Sequence, residues 1–459
     1  MTTQVQLHVN DAQFSQAIET LGKFVAIPSV SNPNNSDYKM EHLINAAQFA
    51  ETELKALDFA VTLISIKESA PFVIAEKIID TALPTILLYA HYDVQPVDRE
   101  KWKSDPFVMV ERDERLYGRG SSDDKGGIIG ILTALQVFKD AGKALPVNIK
   151  ILFEGEEEYG SANMEGLIKQ EAARLNAHAL VILDGSNKSV NEGTLTSSTR
   201  GLMNMHLSVE ALEKPVHSGI GGLIPDPSIH FGKLIGSLQD ARSIEGIQEG
   251  YASMSDIERE TLKKGSIDHS TYLREQGAKD GVVLRGDGSE SVYERVVGEP
   301  LVTVVNMQSG VANGGNSIQA HASGIISVRV LPGQDPAVVA QVIAKHIHSQ
   351  PNVFNLSVKT TFKEGAFAWK ADFSDRFSSA YTEALKENFP GGAVAMPIGG
   401  ALPLIYQFKQ VFPDLSVVVP GVEDPDTSAH SHDESQHIPL WRRSIDSLVS
   451  FLNKAGEAN

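Results

Sequence analysis

Imidazole and carboxylate side chains follow three apolar, strand-length segments of the sequence. The segments are residues 85–90, which lead into His91 and Asp93; residues 148–153, which lead into Glu157 and Glu158; and residues 179–183, which lead into Asp184. The carboxyl ends of the strands in an open α/β sheet meet at one edge, where ligands bind. Three strands are therefore predicted to deliver metal-binding types of side chain to the same place.

A glycine-rich segment brings two more carboxylates. Residues 117–126 read Tyr-Gly-Arg-Gly-Ser-Ser-Asp-Asp-Lys-Gly and carry Asp123 and Asp124 just before a helical pattern at 126–139. Each of these segments alone is typical of a turn, a helix cap or a solvated surface. Their shared position at strand ends is what indicates a site.

Four carboxylates in one cleft need a counter-charge. If Asp123, Glu157, Glu158 and Asp184 share a cleft, their repulsion raises some of their pKa values and destabilises the fold. Two divalent ions supply four positive charges against these four negative ones. Imidazole and carboxylate ligands without thiolate suit zinc first, with manganese or cobalt as alternatives. Ions roughly 3.5–4 Å apart can activate a bridging water and polarise a carbonyl.

The elements that must position these groups read as an α/β domain. Continuously apolar strands alternate with helices, which predicts a mostly parallel central sheet covered by helices on both faces. At the start of the chain, Asn10 or Asp11 can cap a helix with apolar residues at three- and four-residue spacing from Phe14 to Phe24.

A second pattern begins near residue 202. Strands at 203–209, 325–330 and 355–361 and helices at 227–238 and 336–346 predict an inserted α+β sandwich, with residues 245–295 as a helical or loop excursion within it. The predicted domains are residues 1–201 and 372–459 for the two segments of the first domain and 202–371 for the insertion.

Composition excludes several classes of function. The 459 residues have a formal net charge of -18 and include no cysteine, so disulfides, thiolate ligands and a cysteine nucleophile are excluded. An acidic surface repels nucleic acid and anionic membranes. Neither a secretory signal nor a membrane-length apolar run is visible, so the expected location is the cytoplasm.

Several motifs together resemble one family. The segments 91–96 (His-Tyr-Asp-Val-Gln-Pro), Trp102, 105–107 (Asp-Pro-Phe) and 116–126 are similar to those of the clan-MH zinc exopeptidases, and most similar to the carnosinase and cytosolic dipeptidase branch. Aminoacylase, acetylornithine deacetylase and succinyl-diaminopimelate desuccinylase resemble the chain more distantly. The likeness runs from about residue 15 to the C-terminus. It implies a zinc-exopeptidase fold with a ferredoxin-like lid and dimerisation domain.

Site roles follow from this resemblance. It implies two divalent ions per chain, held by His91, Asp123 as the bridging carboxylate, Glu158, Asp184 and His430. It also implies Glu157 as the general base, Asp93 as the group that orients His91, and a cis peptide between Asp123 and Asp124.

The resemblance also implies roles for the inserted domain. His217, in the segment 215–222, resembles a histidine that enters the partner's active site in a homodimer and stabilises the tetrahedral intermediate. Asn316 and Arg329 fall where the family holds the substrate carboxylate or the oxyanion. Gly399 and Gly400 allow a close backbone approach to the substrate.

One segment departs from the family pattern. The dipeptidases usually carry Arg-Glu-Gly-Gly-Ser-Ile-Pro, whereas residues 397–403 here read Pro-Ile-Gly-Gly-Ala-Leu-Pro. Ile398 replaces the acid and Ala401 the hydroxyl, which puts strict recognition of a free amino group in doubt.

The predicted function is two-metal hydrolysis of peptide or amide bonds, with a dipeptide or short peptide as substrate. The first alternative is an N-acyl amino acid amidohydrolase. A non-catalytic binding protein on the same fold and an unrelated dimetal phosphatase are less well supported, because all six positions of the metal ligands and base are present and no basic phosphate clamp accompanies the acids.

Overall fold

The computed structural model describes residues 7–254, 259–260, 262–263, 266–286, 290–310, 315–363 and 365–457. The chain divides into two compact units. The first unit comprises Met1–Ser197, Ala371–Met396 and Gln407–Asn459, and the second unit comprises Ser198–Lys370 and Pro397–Tyr406.

The element order alternates strands and helices in the first part of the chain. Up to residue 198 the elements are α1 (Asp11–Val25), α2 (Met40–Ala56), β1 (Ala60–Ile64), β2 (Phe72–Lys77), β3 (Thr85–His91), β4 (Val110–Arg112), β5 (Arg115–Tyr117), α3 (Lys125–Asp140), β6 (Asn148–Glu154), α4 (Met164–Gln170), α5 (Ala172–Leu175), β7 (Ala179–Ile182), β8 (Gly185–Ser186) and β9 (Gly193–Ser198). Asn10 caps α1 through a capping box with Gln13, as the sequence predicts.

The remaining elements form the inserted second unit and the last part of the chain, most of which belongs to the first unit. Residues 201–362 contain β10 (Gly201–Glu210), β11 (Val216–His217), α6 (Pro227–Gly236), α7 (His269–Glu275), α8 (Val292–Gly298), β12 (Leu301–Gln308), β13 (Ser317–Ile318), β14 (His321–Val330), α9 (Pro336–Ser349) and β15 (Ser357–Phe362). The last part contains α10 (Arg376–Asn388), β16 (Ala393–Pro397), α11 (Pro403–Val411), β17 (Ser416–Val418), β18 (Gly421–Glu423), β19 (Ser435–His437) and α12 (Ile438–Glu457).

A six-stranded sheet organises the first unit. Its order is β1-β2-β6-β3-β7-β17, with the last four strands parallel and the first two joined antiparallel. Every residue of β6 and β7 is buried, because helices cover the sheet and leave no solvated face. The predicted mostly parallel sheet flanked by helices is confirmed.

An antiparallel sheet organises the second unit. Its order is β12-β14-β10-β15, and α6 and α9 pack on it over a core that includes Met205, Phe231 and Ile343. The predicted inserted α+β sandwich is therefore present. Strand β12, which the sequence reading did not include, extends it. The predicted excursion at 245–295 contains the short helices α7 and α8, and part of it lies outside the described residues.

The division of the chain differs from the predicted boundaries at residues 198–201 and 371, and by a larger amount at residues 397–406. Residues 397–406, predicted within the closing segment 372–459, belong to the second unit. The reason is backbone pairing, since Ile398 N–H donates to Ser198 O at 2.9 Å and Arg200 N–H donates to Gly400 O at 2.8 Å.

No helix of the described residues is long and apolar enough to cross a membrane.

Candidate metal centre

The carboxyl ends of the parallel strands position most of the candidate ligands. His91 is the last residue of β3 and lies level with Glu154 at the end of the neighbouring β6. Glu157 and Glu158 begin a 3-10 turn just beyond β6, and Asp184 lies two residues beyond β7. The sheet therefore brings these side chains to one edge, as predicted from their position after apolar strands.

The glycine-rich loop reaches the same edge because its helix lies against the end of β7. A Cβ atom added at Gly127, in the first turn of α3, would lie 2.6 Å from Leu183 O and 2.1 Å from Asp124 Oδ1. Only glycine permits this approach, which places Asp123 beside the strand that carries Asp184. The Asp123-Asp124 peptide bond is cis, as the resemblance implies.

Two groups of potential metal ligands share one carboxylate. In the first group, His91 Nε2 lies 2.9 Å from Asp123 Oδ1 and 3.8 Å from Asp184 Oδ1. In the second group, His430 Nε2 lies 3.1 Å from Asp123 Oδ2 and 3.3 Å from Glu158 Oε2. Within each group the ligand atoms are all less than 4.8 Å apart. Asp123 therefore offers one oxygen to each group, and all five predicted ligands lie together.

Asp93 fixes both the first imidazole and the glutamate turn. Its carboxylate accepts hydrogen bonds from the backbone N–H groups of Glu157 at 3.2 Å and Glu158 at 2.9 Å. Its Oδ1 lies 3.4 Å from His91 Nδ1, and its backbone oxygen lies 3.1 Å from the same nitrogen. These contacts leave His91 Nε2 directed at Asp123, so Asp93 orients two parts of the site rather than one.

The electrostatics of the site fit divalent cations. Burial raises the pKa values of Asp184, Glu158 and Glu157, because a charged carboxylate loses its solvation there. His91 Nε2 is buried and has no hydrogen bond of good geometry among the described residues. An imidazole nitrogen without a partner, surrounded by carboxylate oxygens, is the donor set that zinc-type ions bind. The residues therefore fit two ions.

His430 is the most exposed of the five. About two thirds of its side chain is accessible, against less than a tenth for Asp123. Hydrogen bonds to Asp123 and Glu158 raise the pKa of His430 to about 11 where no cation is present. A loop histidine with this exposure needs support from its backbone to stay near Asp123.

Arg119 supplies that support. Its buried guanidinium donates through Nη1 to Ala429 O and through Nη2 to Ser431 O at 2.8 Å. These two carbonyls flank His430 on either side. The same Nη1 lies 2.7 Å from Glu434 Oε2.

Glu434 holds the other ligand loop. Its carboxylate accepts backbone hydrogen bonds from Gly120 at 2.9 Å and from Ser122 and Asp123 at 3.0 Å each. One buried ion pair, Arg119–Glu434, therefore fixes both the loop of Asp123 and the loop of His430. The sequence reading assigned these two residues no role. The only feature of the sequence that could have indicated their role is that they have opposite charges and each lies four residues from a predicted ligand.

The other predicted site residues lie in the second unit. His217 and Asn316 are exposed neighbours at a short antiparallel ribbon, where Ser218 N–H donates to Asn316 O at 3.0 Å. Arg329 is half-buried on β14, level with Leu202 of β10. Gly399 and Gly400 lie in the segment that pairs with residues 198–200. The metal-ligand groups themselves belong wholly to the first unit.

Sequence comparison decides the family. The family model for Peptidase family M20/M25/M40 matches residues 87–454. This chain belongs to that family. The predicted resemblance to metal-dependent exopeptidases, and with it the predicted enzyme class, is confirmed at the family level.

Individual relatives cover nearly the whole chain. The Cysteinylglycine-S-conjugate dipeptidase of Corynebacterium striatum is 30% identical over 414 residues, 88% of this chain and 88% of that protein. The Beta-Ala-His dipeptidase of Homo sapiens is 26% identical over 453 residues, 94% of this chain and 88% of that protein. The structure of the M20 family metallo-carboxypeptidase Sso-CP2 from Sulfolobus solfataricus is similar with a TM-score of 0.83 and 26% identity, over 96% of this chain and 99% of that one.

Glu434→Gln should weaken metal binding without removing any ligand. The substitution leaves Arg119 without its counter-charge, which costs roughly 3–5 kcal/mol of stability for a buried pair. It also loosens both ligand loops, so we expect metal affinity to fall about 10- to 100-fold. Chelator-competition titration measures the affinity. Asp446→Asn is the control, because Asp446 is a half-buried acid that also accepts a backbone N–H, that of Val9, outside the ligand loops. Unchanged metal affinity in Glu434→Gln would disprove the conclusion that the Arg119–Glu434 pair fixes the two ligand loops.

Proposed function

We propose that this M20-family chain is a two-metal hydrolase of dipeptides or short peptides, with zinc as its native metal. The observation that carries the proposal is the placement of Asp123, whose two carboxylate oxygens each face a separate group of ligands. His91 and Asp184 would complete one metal position, and Glu158 and His430 the other. When bound, the two ions supply an activated water and a polarised substrate carbonyl.

Glu157 is proposed as the general base and then the general acid. It would take a proton from the water that attacks the carbonyl carbon and give that proton to the amine as the carbon–nitrogen bond breaks. Its backbone is fixed by Asp93, and burial raises the pKa of its carboxyl well above the usual range, with Asp184 and Glu158 adding to the shift and His91 opposing it. A carboxyl with a raised pKa can hold the proton between these two steps.

Glu157→Gln should abolish turnover while leaving the metals in place. We expect kcat to fall about 10²- to 10⁴-fold, because the amide cannot accept the proton. Metal content, measured by plasma emission, should stay near two ions per chain. Glu156→Gln is the control, because the neighbouring Glu156 carboxylate instead accepts hydrogen bonds from Ala70 N and Asn163 Nδ2. Loss of a metal ion together with activity would make Glu157 a ligand rather than the base.

Residues 397–403 bear on whether the substrate has a free or an acylated amino group. Two of the similar proteins named above are dipeptidases by name, which supports a dipeptide substrate, and the third is a metallo-carboxypeptidase. Residues 397–403 of this chain contain no acidic side chain to receive a substrate ammonium group. That departure favours the alternative, an N-acyl amino acid amidohydrolase.

A matched substrate panel separates the two functions. For each of several amino acids, the rate of release is measured from a dipeptide and from the N-acetyl and N-succinyl derivatives. If the dipeptidase proposal holds, kcat/KM for the dipeptides should exceed that for the acylated forms by at least about tenfold, a difference of about 1.4 kcal/mol in transition-state binding. The reverse preference would establish the amidohydrolase alternative.

His217 is proposed to donate a hydrogen bond to the substrate oxygen in the partner subunit of a homodimer. Its Nδ1 accepts the N–H of Gly219 at 3.0 Å, so the neutral ring carries its proton on Nε2, which is then free to donate. Support for the dimer comes from β12, where the apolar side chains of Val304, Val305 and Met307 are exposed. Asn316 and Arg329 are proposed to bind the substrate carboxylate or the same oxygen.

Complementation tests the shared site. His217→Ala and Glu157→Gln should each be inactive alone, because each lacks one group that acts on the substrate. Mixed dimers contain one site with both groups intact, so mixing the variants after subunit exchange should recover up to about a quarter of wild-type activity. Sedimentation or light scattering shows whether mixed dimers form. Mixed dimers with no recovered activity would place His217 outside the catalytic site of the partner.

The remaining proposal concerns partners. A net charge of -18 disfavours nucleic acid as a partner.

A further inference from the structure

The second unit contains a cavity of about 400 Å³, within the size range of small-molecule sites. The apolar part of its lining includes Leu284, Val296 and Leu301, and the charged part includes Arg200, Arg295 and Glu299. Every residue that lines it belongs to the second unit.

Arg200 is buried in the wall of this cavity without a described carboxylate in hydrogen-bond contact. Its side chain and backbone are 2% exposed. Nη2 donates to Arg295 O at 3.0 Å, but Nε and Nη1 are buried and have no hydrogen-bond partner among the described residues. Burial, together with the nearby Arg329, lowers the pKa of Arg200 to about 10, so the guanidinium is still charged at neutral pH. A buried cation with free donors is costly unless an anion pairs with it.

Glu299 is the one carboxylate among the described residues of the lining, and it already pairs with two arginines. Glu299 Oε1 lies 2.7 Å from Arg295 Nε and 2.5 Å from Arg242 Nη2. The segment 397–403, whose Gly400 O accepts the N–H of Arg200, contains no acid. The described residues therefore provide two guanidinium groups in direct contact with Glu299. The charge of Glu299 also acts on Arg200 from farther away, but no described carboxylate forms a hydrogen bond with Arg200.

We propose that this cavity binds the carboxylate of a small molecule on Arg200, with the carbon chain of that molecule against the apolar wall. Arg285 also lines the cavity but is exposed, so among the described lining residues Arg200 is the buried guanidinium with free donors. A buried guanidinium beside aliphatic side chains suits a single carboxylate on a short carbon stem, such as a glutamyl side chain or a dicarboxylic acyl group. A polyphosphate would require more cations and fewer apolar neighbours. The identification of the substrate as the source of this carboxylate rests on the proposed function, whereas the binding site itself does not.

Calorimetric titration of the metal-loaded full chain with glutarate tests the site. Glutarate should bind the wild-type protein, and Arg200→Gln should weaken binding about 10- to 100-fold, because charge-assisted hydrogen bonds are lost. Glutaramide, the uncharged analogue, should bind neither protein. Arg274→Gln is the matched control, because Arg274 belongs to the same unit but does not line the cavity. Equal glutarate affinity in the wild type and in Arg200→Gln would assign the binding to the metal ligands and overturn the proposal.

A second variant keeps the test decisive if Arg200→Gln does not fold. Val296→Asp retains the guanidinium and places a carboxylate in the lining of the cavity, where it should pair with Arg200 and exclude glutarate. Unchanged glutarate binding in Val296→Asp would also overturn the proposal.

Kinetics then distinguish the two sources of the carboxylate. If the substrate supplies it, a glutamyl dipeptide should have a KM about tenfold lower than its glutaminyl counterpart in the wild type, and Arg200→Gln should remove the difference. If a separate ligand supplies it, the two KM values should be equal while glutarate still binds through Arg200. Calorimetry measures glutarate binding without requiring catalysis. A protein that binds glutarate through Arg200 but hydrolyses no peptide would therefore refute the proposed function and still confirm this binding site.

Discussion

The Arg119–Glu434 ion pair is the interaction on which the geometry of the metal centre depends. Removing two charges from water costs several kcal/mol per ion, and their attraction repays this only when the remaining donors and acceptors are satisfied. Here Glu434 accepts three backbone N–H groups from the loop of Asp123, and Arg119 donates through Nη1 and Nη2 to the carbonyls on both sides of His430, although its buried Nε has no partner among the described residues. The desolvated pair therefore joins two loops that have no regular secondary structure of their own.

Asp93 has the same function on the opposite side of the site. Its carboxylate receives the backbone N–H groups of the glutamate turn while contacting His91. In both cases an acid that need not touch a metal determines where the ligating atoms point. The rigid sheet sets the position of each strand end, and these buried acids set the direction of the loops beyond it.

Local patterns in the sequence were sufficient to predict the sheet and to predict that the candidate ligands at its strand ends lie together. Strands β6 and β7 are apolar over their whole length because both faces are covered, and this makes them visible without any partner. The Arg119–Glu434 contact joins residues 315 positions apart in the sequence. A local sequence pattern cannot predict a contact between residues so far apart. Strand β12 was missed for another reason, since most of its residues are exposed and its pattern lacks a buried face. No sequence motif marks Arg200, because what distinguishes it is that two of its guanidinium nitrogens lack a hydrogen-bond partner in the described part of the folded chain.

The order of the ligands along the chain has a consequence for biosynthesis. His91, Asp123, Glu158 and Asp184 precede the second unit, whereas His430 and Glu434 follow it. A ribosome that has translated only the first 371 residues has made four of the five proposed ligands, but neither the last imidazole nor the acid that holds the Asp123 loop. If both ions are bound as proposed, their tight binding must wait for the final tenth of the polypeptide, so the chain would become a hydrolase only after its second unit has been made.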